Sequence, residues 1–144
     1  MATFLEGFNC AQALLSAYGA EFGLDHQAAL RISGAFGGGI GRMGQTCGAV
    51  TGALMVIGLK YGRTNIEDKG AEEKTYDLVQ EFVTRFIARN GSISCRELLG
   101  CDLSTPEGRS FAKENKLIAS VCPAFVRAAA EIVEQILLGA VKES

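Results

Sequence analysis

Cysteine is the residue type in this sequence whose number suggests chemistry. Five cysteines occur in 144 residues, and the N-terminal MATFLEGFNC lacks the charged and long apolar segments of an export signal. We therefore expect a cytoplasmic protein. Cytoplasmic thiols are normally kept reduced, so metal-binding or catalytic cysteines are expected more often than structural disulfides.

Three of the cysteines fall where the sequence predicts that helices begin. Cys47 follows Thr46, a candidate N-cap; Cys95 follows Ser94, which starts the capping box Ser-Cys-Arg-Glu; and Cys122 precedes Pro123. A helix start presents unpaired N–H groups and about half a positive charge, which favours thiolate over thiol. The thiolate is both a nucleophile and a metal ligand, so this placement suits either chemistry.

The spacing of the cysteines leaves their chemistry open. The sequence has no C-x-x-C, so it contains neither a thioredoxin motif nor a zinc knuckle. From Cys10 through Cys47 and Cys95 to Cys122, the intervals are 37, 48 and 27 positions. A shared site must therefore be assembled by the tertiary fold, and four cysteines allow three disulfide pairings. The alternative is that buried cysteines act only as small apolar residues.

The elements that would position these residues are predicted to be helices. Apolar residues recur with helical periodicity, and no window alternates with the period of a strand. We predict an all-α protein with a single compact domain over residues 1–144 and about five or six helices. The expected segments are Thr3–Tyr18 with Cys10 inside it, His26–Phe36, a glycine-rich loop over 37–44, the buried helix Cys47–Tyr61, Ile66–Asn90 capped by Asn65, a short helix from Cys95 to Gly100, a helix starting at Thr105-Pro106, and Ala124–Leu138.

Several functional classes are not indicated by the sequence. The net charge is −2 and no basic stripe is visible, which argues against nucleic-acid binding. The longest apolar stretch is too short to span a membrane. Gly39–Gly44 spells G-x-G-x-x-G, but it follows a predicted helix, whereas the dinucleotide fingerprint follows a strand. His26 is the single histidine, which disfavours a histidine-based nucleophilic mechanism.

The segment from Cys47 to Gly52 reads C-G-A-x-x-G. With this motif, the chain resembles the family of redox-active proteins named for its C_GCAxxG_C_C pattern, over nearly its whole length. Cys10, Cys47, Cys95 and Cys122 match the four family cysteines, and Cys101 is an extra one. The resemblance implies a redox role for those four, either as catalytic thiols or as metal ligands.

The resemblance also bears on cofactors and partners. It implies a transporter or redox protein as partner, and a similar domain occurs in a cytochrome with an iron–sulfur centre. An iron–sulfur cluster or a metal ion is therefore one implied cofactor, and a thiol–disulfide protein would need none. The sequence has no C-x-x-C-H, so covalent c-type haem is excluded.

Three functions remain open at this point: thiol-based redox chemistry with Cys47 as the attacking sulfur, a four-thiolate metal or iron–sulfur protein, and a helical interaction module. Gly48 and Gly52 form a narrow face that could bring Cys47 near a partner thiol, and Arg42 could stabilise its thiolate. The long helix Ile66–Asn90 could support a homo-oligomer.

Overall fold

The computed structural model describes the backbone of residues 2–143 and the side chains of residues 3–139. The chain folds into α-helices, as predicted, and within the described residues extended backbone pairs only at one isolated antiparallel bridge, between Thr46 and Ser94. The helices are α1 (Ala2–Leu5), α2 (Cys10–Gly19), α3 (His26–Ser33), α4 (Gly48–Tyr61), α5 (Lys69–Asn90), α6 (Cys95–Leu99), α7 (Pro106–Glu114), α8 (Leu117–Ser120) and α9 (Cys122–Glu143).

Helix α4 lies at the centre of the protein and contacts α2, α5 and α9. Its side chains Val50, Val56 and Ile57 are fully buried, which confirms the prediction of a buried core helix. Helix α5 contributes Phe82 and Phe86, whose stacked rings have centroids 6.0 Å apart. Burial of these large side chains supplies most of the driving force for folding.

The predicted first helix is two helices, because a capping box interrupts it. The Asn9 side chain accepts from the Gln12 N–H at 2.9 Å, and the Gln12 side chain accepts from the Asn9 N–H at 3.0 Å. This reciprocal pair satisfies two N–H groups that a helix start leaves open. The prediction that Cys10 lies inside a helix was therefore wrong: Cys10 is the first residue of α2.

Three other predicted boundaries shift for similar reasons. Helix α5 begins at Lys69 because Asp68 accepts from the Ala71 N–H, whereas Asn65 accepts from the Glu67 N–H within a turn. The N-cap of α4 is Cys47 itself, since Thr46 belongs to the bridge with Ser94. Helix α9 begins at Cys122 and continues to Glu143, beyond the predicted end.

The helix starts at Ser94 and Thr105 are where the sequence places them. The Ser94 and Thr105 side chains accept from the N–H groups of Glu97 and Gly108. The capping box at Ser94 is incomplete, because the Glu97 carboxylate accepts from the Ser92 hydroxyl instead of the Ser94 N–H.

The glycine-rich segment before α4 is a compact left-handed turn. Residues 38–42 all have φ between +55° and +72°, and two of them, Ile40 and Arg42, are not glycine. Backbone hydrogen bonds close the turn, including Gly41 N–H to Ala35 at 2.8 Å and Gln45 N–H to Gly39 at 2.9 Å. Holding non-glycine residues at positive φ costs about 1–2 kcal/mol each, so packing around the turn must enforce its shape.

Within the described part of the chain, no helix combines the length and the apolarity needed to cross a membrane.

Candidate functional site

Four cysteines from four different helix starts line one cavity of about 440 Å³. Cys10, Cys95 and Cys122 are the first residues of α2, α6 and α9, and Cys47 is the N-cap of α4. All are free thiols; Cys47, Cys95 and Cys122 are buried and Cys10 is partly exposed. The four cysteines singled out in the sequence are thus brought together by the fold.

Close packing of α2 against α4 brings Cys10 and Cys47 together. At Gly52, a methyl group would lie 2.8 Å from Leu14 Cβ and 2.9 Å from the Ala11 oxygen. At Gly48, it would lie 2.9 Å from the Ala11 nitrogen and 3.2 Å from Cys10 Cβ. Separations this short leave no room for a side chain. The predicted role of the two glycines, close approach of another backbone, is confirmed.

The antiparallel bridge between Thr46 and Ser94 brings Cys95 next to Cys47. The Cys47 N–H donates to the Ile93 oxygen at 2.7 Å, and the Cys95 N–H donates to the Gln45 oxygen at 2.6 Å. The left-handed turn packs behind this pair: a methyl group on Gly39 would lie 2.6 Å from Cys95 Cβ. The turn therefore positions Cys95 by direct contact.

The Cys10 side chain contacts two of the other thiols. Side-chain hydrogen bonding with Cys122 and with Cys47, together with burial, raises the pKa of Cys10 well above its ordinary value. The hydrogen bond between Cys10 and Cys47 has the opposite effect on the pKa of Cys47, because a donor stabilises a thiolate.

Cys47 is the cysteine whose environment favours the thiolate. The Cys10 thiol is the main cause of its lowered pKa; the N–H groups of Ala49 and Val50 at the start of α4 add to it, and burial opposes it. Both N–H groups lie outside strict hydrogen-bonding geometry to the sulfur, so they act through their partial charges. The lowered thiol pKa that was predicted for a helix start is therefore found at Cys47.

Cys95 shows that a helix start alone does not lower a thiol pKa. Burial is the main cause that raises the pKa of Cys95 to about 12, and the neighbouring sulfurs of Cys47, Cys122 and Cys101 add to the effect. Here the effect of burial on the thiolate outweighs any stabilisation of the thiolate by the start of the short helix α6. The expectation that helix-start cysteines share a lowered pKa therefore fails at Cys95.

Within the described side chains, the walls of the cavity around the cysteines carry no charge, and Asn9 is the one polar lining side chain besides the cysteines. The other lining residues occupy ordinary apolar positions of helices and loops in the sequence, and no sequence signal distinguished them. The large apolar lining side chains are Phe4, Leu5, Phe8, Leu98, Leu99, Leu103, Ile118 and Phe125.

Comparison with known protein families assigns residues 8–136 to the family described as "Putative redox-active protein (C_GCAxxG_C_C)". The chain belongs to this family. The match spans most of the chain and includes all four cysteines of the cavity. No curated protein and no solved structure matches the chain.

Cys101 of this C_GCAxxG_C_C protein differs from the other four cysteines in position. It follows Gly100, which ends α6, and it does not line the cavity. Its thiol is partly exposed, and partial burial and the nearby Asp102 raise its pKa. This placement agrees with the interpretation of Cys101 as an extra cysteine.

Arg42 does not reach the cysteines of this C_GCAxxG_C_C protein. Its side chain is exposed and lines a neighbouring cleft rather than the cysteine cavity. The lowered pKa of Cys47 arises from Cys10 and the start of α4, and Arg42 contributes nothing to it. The hypothesis that Arg42 stabilises this thiolate is therefore not supported.

The four thiols line one cavity without forming a ready metal site. Within residues 2–143, no three His, Cys, Asp or Glu side chains are arranged to hold one metal ion. Tetrahedral thiolate sites need all sulfurs about 2.3 Å from the ion. The metal and iron–sulfur hypothesis therefore stays a prediction from the sequence.

Proposed function

We propose that this protein exchanges electrons with disulfide substrates through its own thiols, with Cys47 as the attacking sulfur and Cys10 as the resolving one. The observation that carries the proposal is the contact between these two thiols at the junction of α2 and α4. Membership of a redox-active family supports the same chemistry. We further propose that the protein acts in the cytoplasm. There its substrate would be the disulfide of a protein or small molecule, and its partner would be a thiol protein or small thiol that reduces it again.

The proposed reaction has two steps. The Cys47 thiolate attacks one sulfur of a substrate disulfide, which breaks the substrate S–S bond and releases the other sulfur as a thiolate. The Cys10 thiol then loses its proton, and its sulfur attacks Cys47 Sγ in the mixed disulfide. This forms a Cys10–Cys47 disulfide and releases the second substrate thiolate. The substrate gains two electrons and the protein loses two, and the proton from Cys10 goes to a released thiolate.

The local geometry suits each sulfur to its role. Attack requires a thiolate, and Cys47 is the cysteine with the lowered pKa. The resolving thiol should stay protonated until the mixed disulfide forms, which agrees with the raised pKa of Cys10. Cys122 also contacts Cys10, so it could take over the disulfide by attacking Cys10 Sγ, which would release Cys47 as a thiolate.

The proposal can be tested by following the fate of the thiols after oxidation with hydroxyethyl disulfide. We expect wild-type protein to lose two hydrogen atoms by mass spectrometry and to yield a peptide cross-linked between Cys10 and Cys47. The Cys10→Ser variant should instead accumulate a mixed disulfide on Cys47.

Cys101→Ser is the matched control, because it removes a thiol that lies outside the cavity. It should form the cross-link as wild type does, whereas Cys47→Ser should not. The proposal fails if Cys47→Ser is oxidised at the wild-type rate, or if all five thiols stay reduced.

A further inference from the structure

A second cleft, of about 820 Å³, opens beside the cysteine cavity. The two spaces share a common wall. The residues that line both are Asn9, Gly38, Leu103, Ile118 and Ala119. A ligand that occupied both spaces would lie against these five shared residues.

The cleft carries concentrated positive charge. Its charged lining residues are Arg42, Arg109, Lys113 and Lys116, and among the described side chains no acidic residue lines it. The chain as a whole has 14 basic and 16 acidic residues, so this surface opposes the overall charge. Within the described part of the chain, none of the four cations forms an ion pair. Their charge is therefore available to a ligand.

Three of the cations come from two elements that the fold holds in place, and Lys116 follows α7. Arg109 is half-buried, and its guanidinium donates to the Leu103 oxygen at 2.9 Å, next to the shared wall. Lys113 lies one turn further along α7. Arg42 comes from the left-handed turn, which lines the same cleft. A group bound in the cleft would meet positive charge from both elements.

We propose that the disulfide substrate bears an anionic end group, a carboxylate or a phosphate, on an apolar arm. The disulfide and arm would lie in the uncharged cysteine cavity, and the anion would lie in the basic cleft. This inference rests on the proposed function for the disulfide part. The cleft supplies the recognition: guanidinium and ammonium groups bind such anions by charge-assisted hydrogen bonds.

Lipoate and lipoamide are suitable probes, because both carry a cyclic disulfide on the same aliphatic arm and only lipoate ends in a carboxylate. The Cys47 thiolate would open the ring, and the released thiolate would take up the proton from Cys10. As the Cys10–Cys47 disulfide forms, the reduced arm would leave with one thiol and one thiolate, and the thiolate would take its proton from solvent. We expect lipoate to oxidise the protein about 10-fold faster than lipoamide at low concentration, with a smaller ratio at high salt.

The double variant Arg42→Gln/Lys113→Gln removes two cleft charges from exposed side chains that form no hydrogen bond or ion pair in the described part of the chain. It should reduce the lipoate preference to about twofold or less. Arg31→Gln/Lys69→Gln is the matched control: it removes the same charge from exposed positions on α3 and α5, which line neither space. The control should keep the wild-type preference. Equal rates for the two probes in wild-type protein would overturn the inference.

A binding measurement separates this inference from the proposed function. Octanoate and octanamide have the same arm and no disulfide, so their binding to Cys47→Ser involves no redox step. Tighter binding of octanoate that is lost in the cleft variant supports the anion site even if the thiol chemistry fails. Indistinguishable binding of the two molecules overturns the site even if the cysteines are oxidised as proposed.

Discussion

Cys47 and Cys10 have opposite pKa shifts, and the contact between them contributes to both. The Cys10 thiol stabilises the Cys47 thiolate, and the contacts of Cys10 with Cys122 and with Cys47 make Cys10 itself resist losing its proton. Burial acts on both sulfurs in the same direction, toward the neutral thiol. The difference between an attacking and a resolving sulfur is thus produced by the donor–acceptor arrangement rather than by burial.

This arrangement predicts how Cys47 responds when its donor is removed. In Cys10→Ala, the lost S–H donor should raise the pKa of Cys47, so its alkylation by iodoacetamide should become fast only at higher pH. Near neutral pH, the rate should fall roughly two- to fivefold, since less thiolate is present although it is somewhat more nucleophilic. Cys10→Ser keeps a hydroxyl donor and should show a smaller change. An alkylation profile that is unchanged, or moved to lower pH, would contradict this explanation.

At the scale of elements, two glycine-dependent contacts place the cysteines. Gly52 and Gly48 let α2 approach α4, and Gly39 lets the left-handed turn pack on Cys95. In each case, the glycine is needed because a backbone or a buried Cβ occupies the space where its side chain would lie. Helices α2 and α4, and the left-handed turn beside Cys95, can therefore pack closely because these three residues have no side chain.

Gly52→Ala should destabilise the protein by about 1–3 kcal/mol, because the new methyl group would overlap Leu14 and Ala11. Gly58→Ala is the control in the same helix, where nothing lies within 4 Å of an added methyl group. That change should be neutral or stabilise by about 0.5–1 kcal/mol through helix propensity. Urea denaturation in reducing buffer measures both. Equal effects at the two positions would show that α2 and α4 are not closely packed.

Comparing Gly39→Ala with Gly41→Ala separates the cost of backbone strain from the cost of steric overlap. Both residues have positive φ, +72° and +55°, so alanine costs about 1–2 kcal/mol at either. At Gly41 the nearest atom to a new methyl group is 3.7 Å away, whereas at Gly39 it is 2.6 Å away, on Cys95. Gly39→Ala should therefore cost about 1–3 kcal/mol more. It should also accelerate alkylation of Cys95, and a wild-type rate would argue against this contact.

At the scale of the whole molecule, the site joins segments that are far apart in sequence. The starts of α2, α4, α6 and α9 meet at one cavity, and the turn before α4 and helix α7 add the basic cleft beside it. Helix α4 is central to this arrangement because it packs against α2 and α9 and carries Cys47 at its start. A bond between two of these sulfurs would therefore restrain much of the chain.

Oxidation should stabilise the fold in a way that depends on Cys10 and Cys47. A disulfide between residues 37 positions apart lowers the entropy of the unfolded chain, which corresponds to about 4 kcal/mol in the chain-entropy estimate. Denaturation of oxidised and reduced wild-type protein measures the difference. Cys10→Ser should show no such gain under the same oxidising conditions. If the oxidised wild type is no more stable than the reduced form, the two thiols do not form a bond that the native fold accepts.

The sequence by itself determined the features that depend on residues within one or two turns of each other. A continuous apolar run too short for a membrane span identified the buried helix α4, and the side chains of Ser94 and Thr105 identified two helix starts, because an N-cap bonds to an N–H three residues away. The start of α2 was equally local, since Asn9 and Gln12 form its capping box, but that signal was missed among the surrounding apolar residues.

Only the tertiary structure decided which cysteines contact each other and how each contact changes their pKa values. Local signals place a sulfur at a helix start, but the pKa of that sulfur depends on burial and on neighbouring thiols, which come from other helices. For this reason Cys47 and Cys95, alike in sequence context, have pKa values that shift in opposite directions. The basic cleft was hidden for the same reason, because Arg42 and Arg109 line one space only when the fold brings the left-handed turn and α7 to the same cleft.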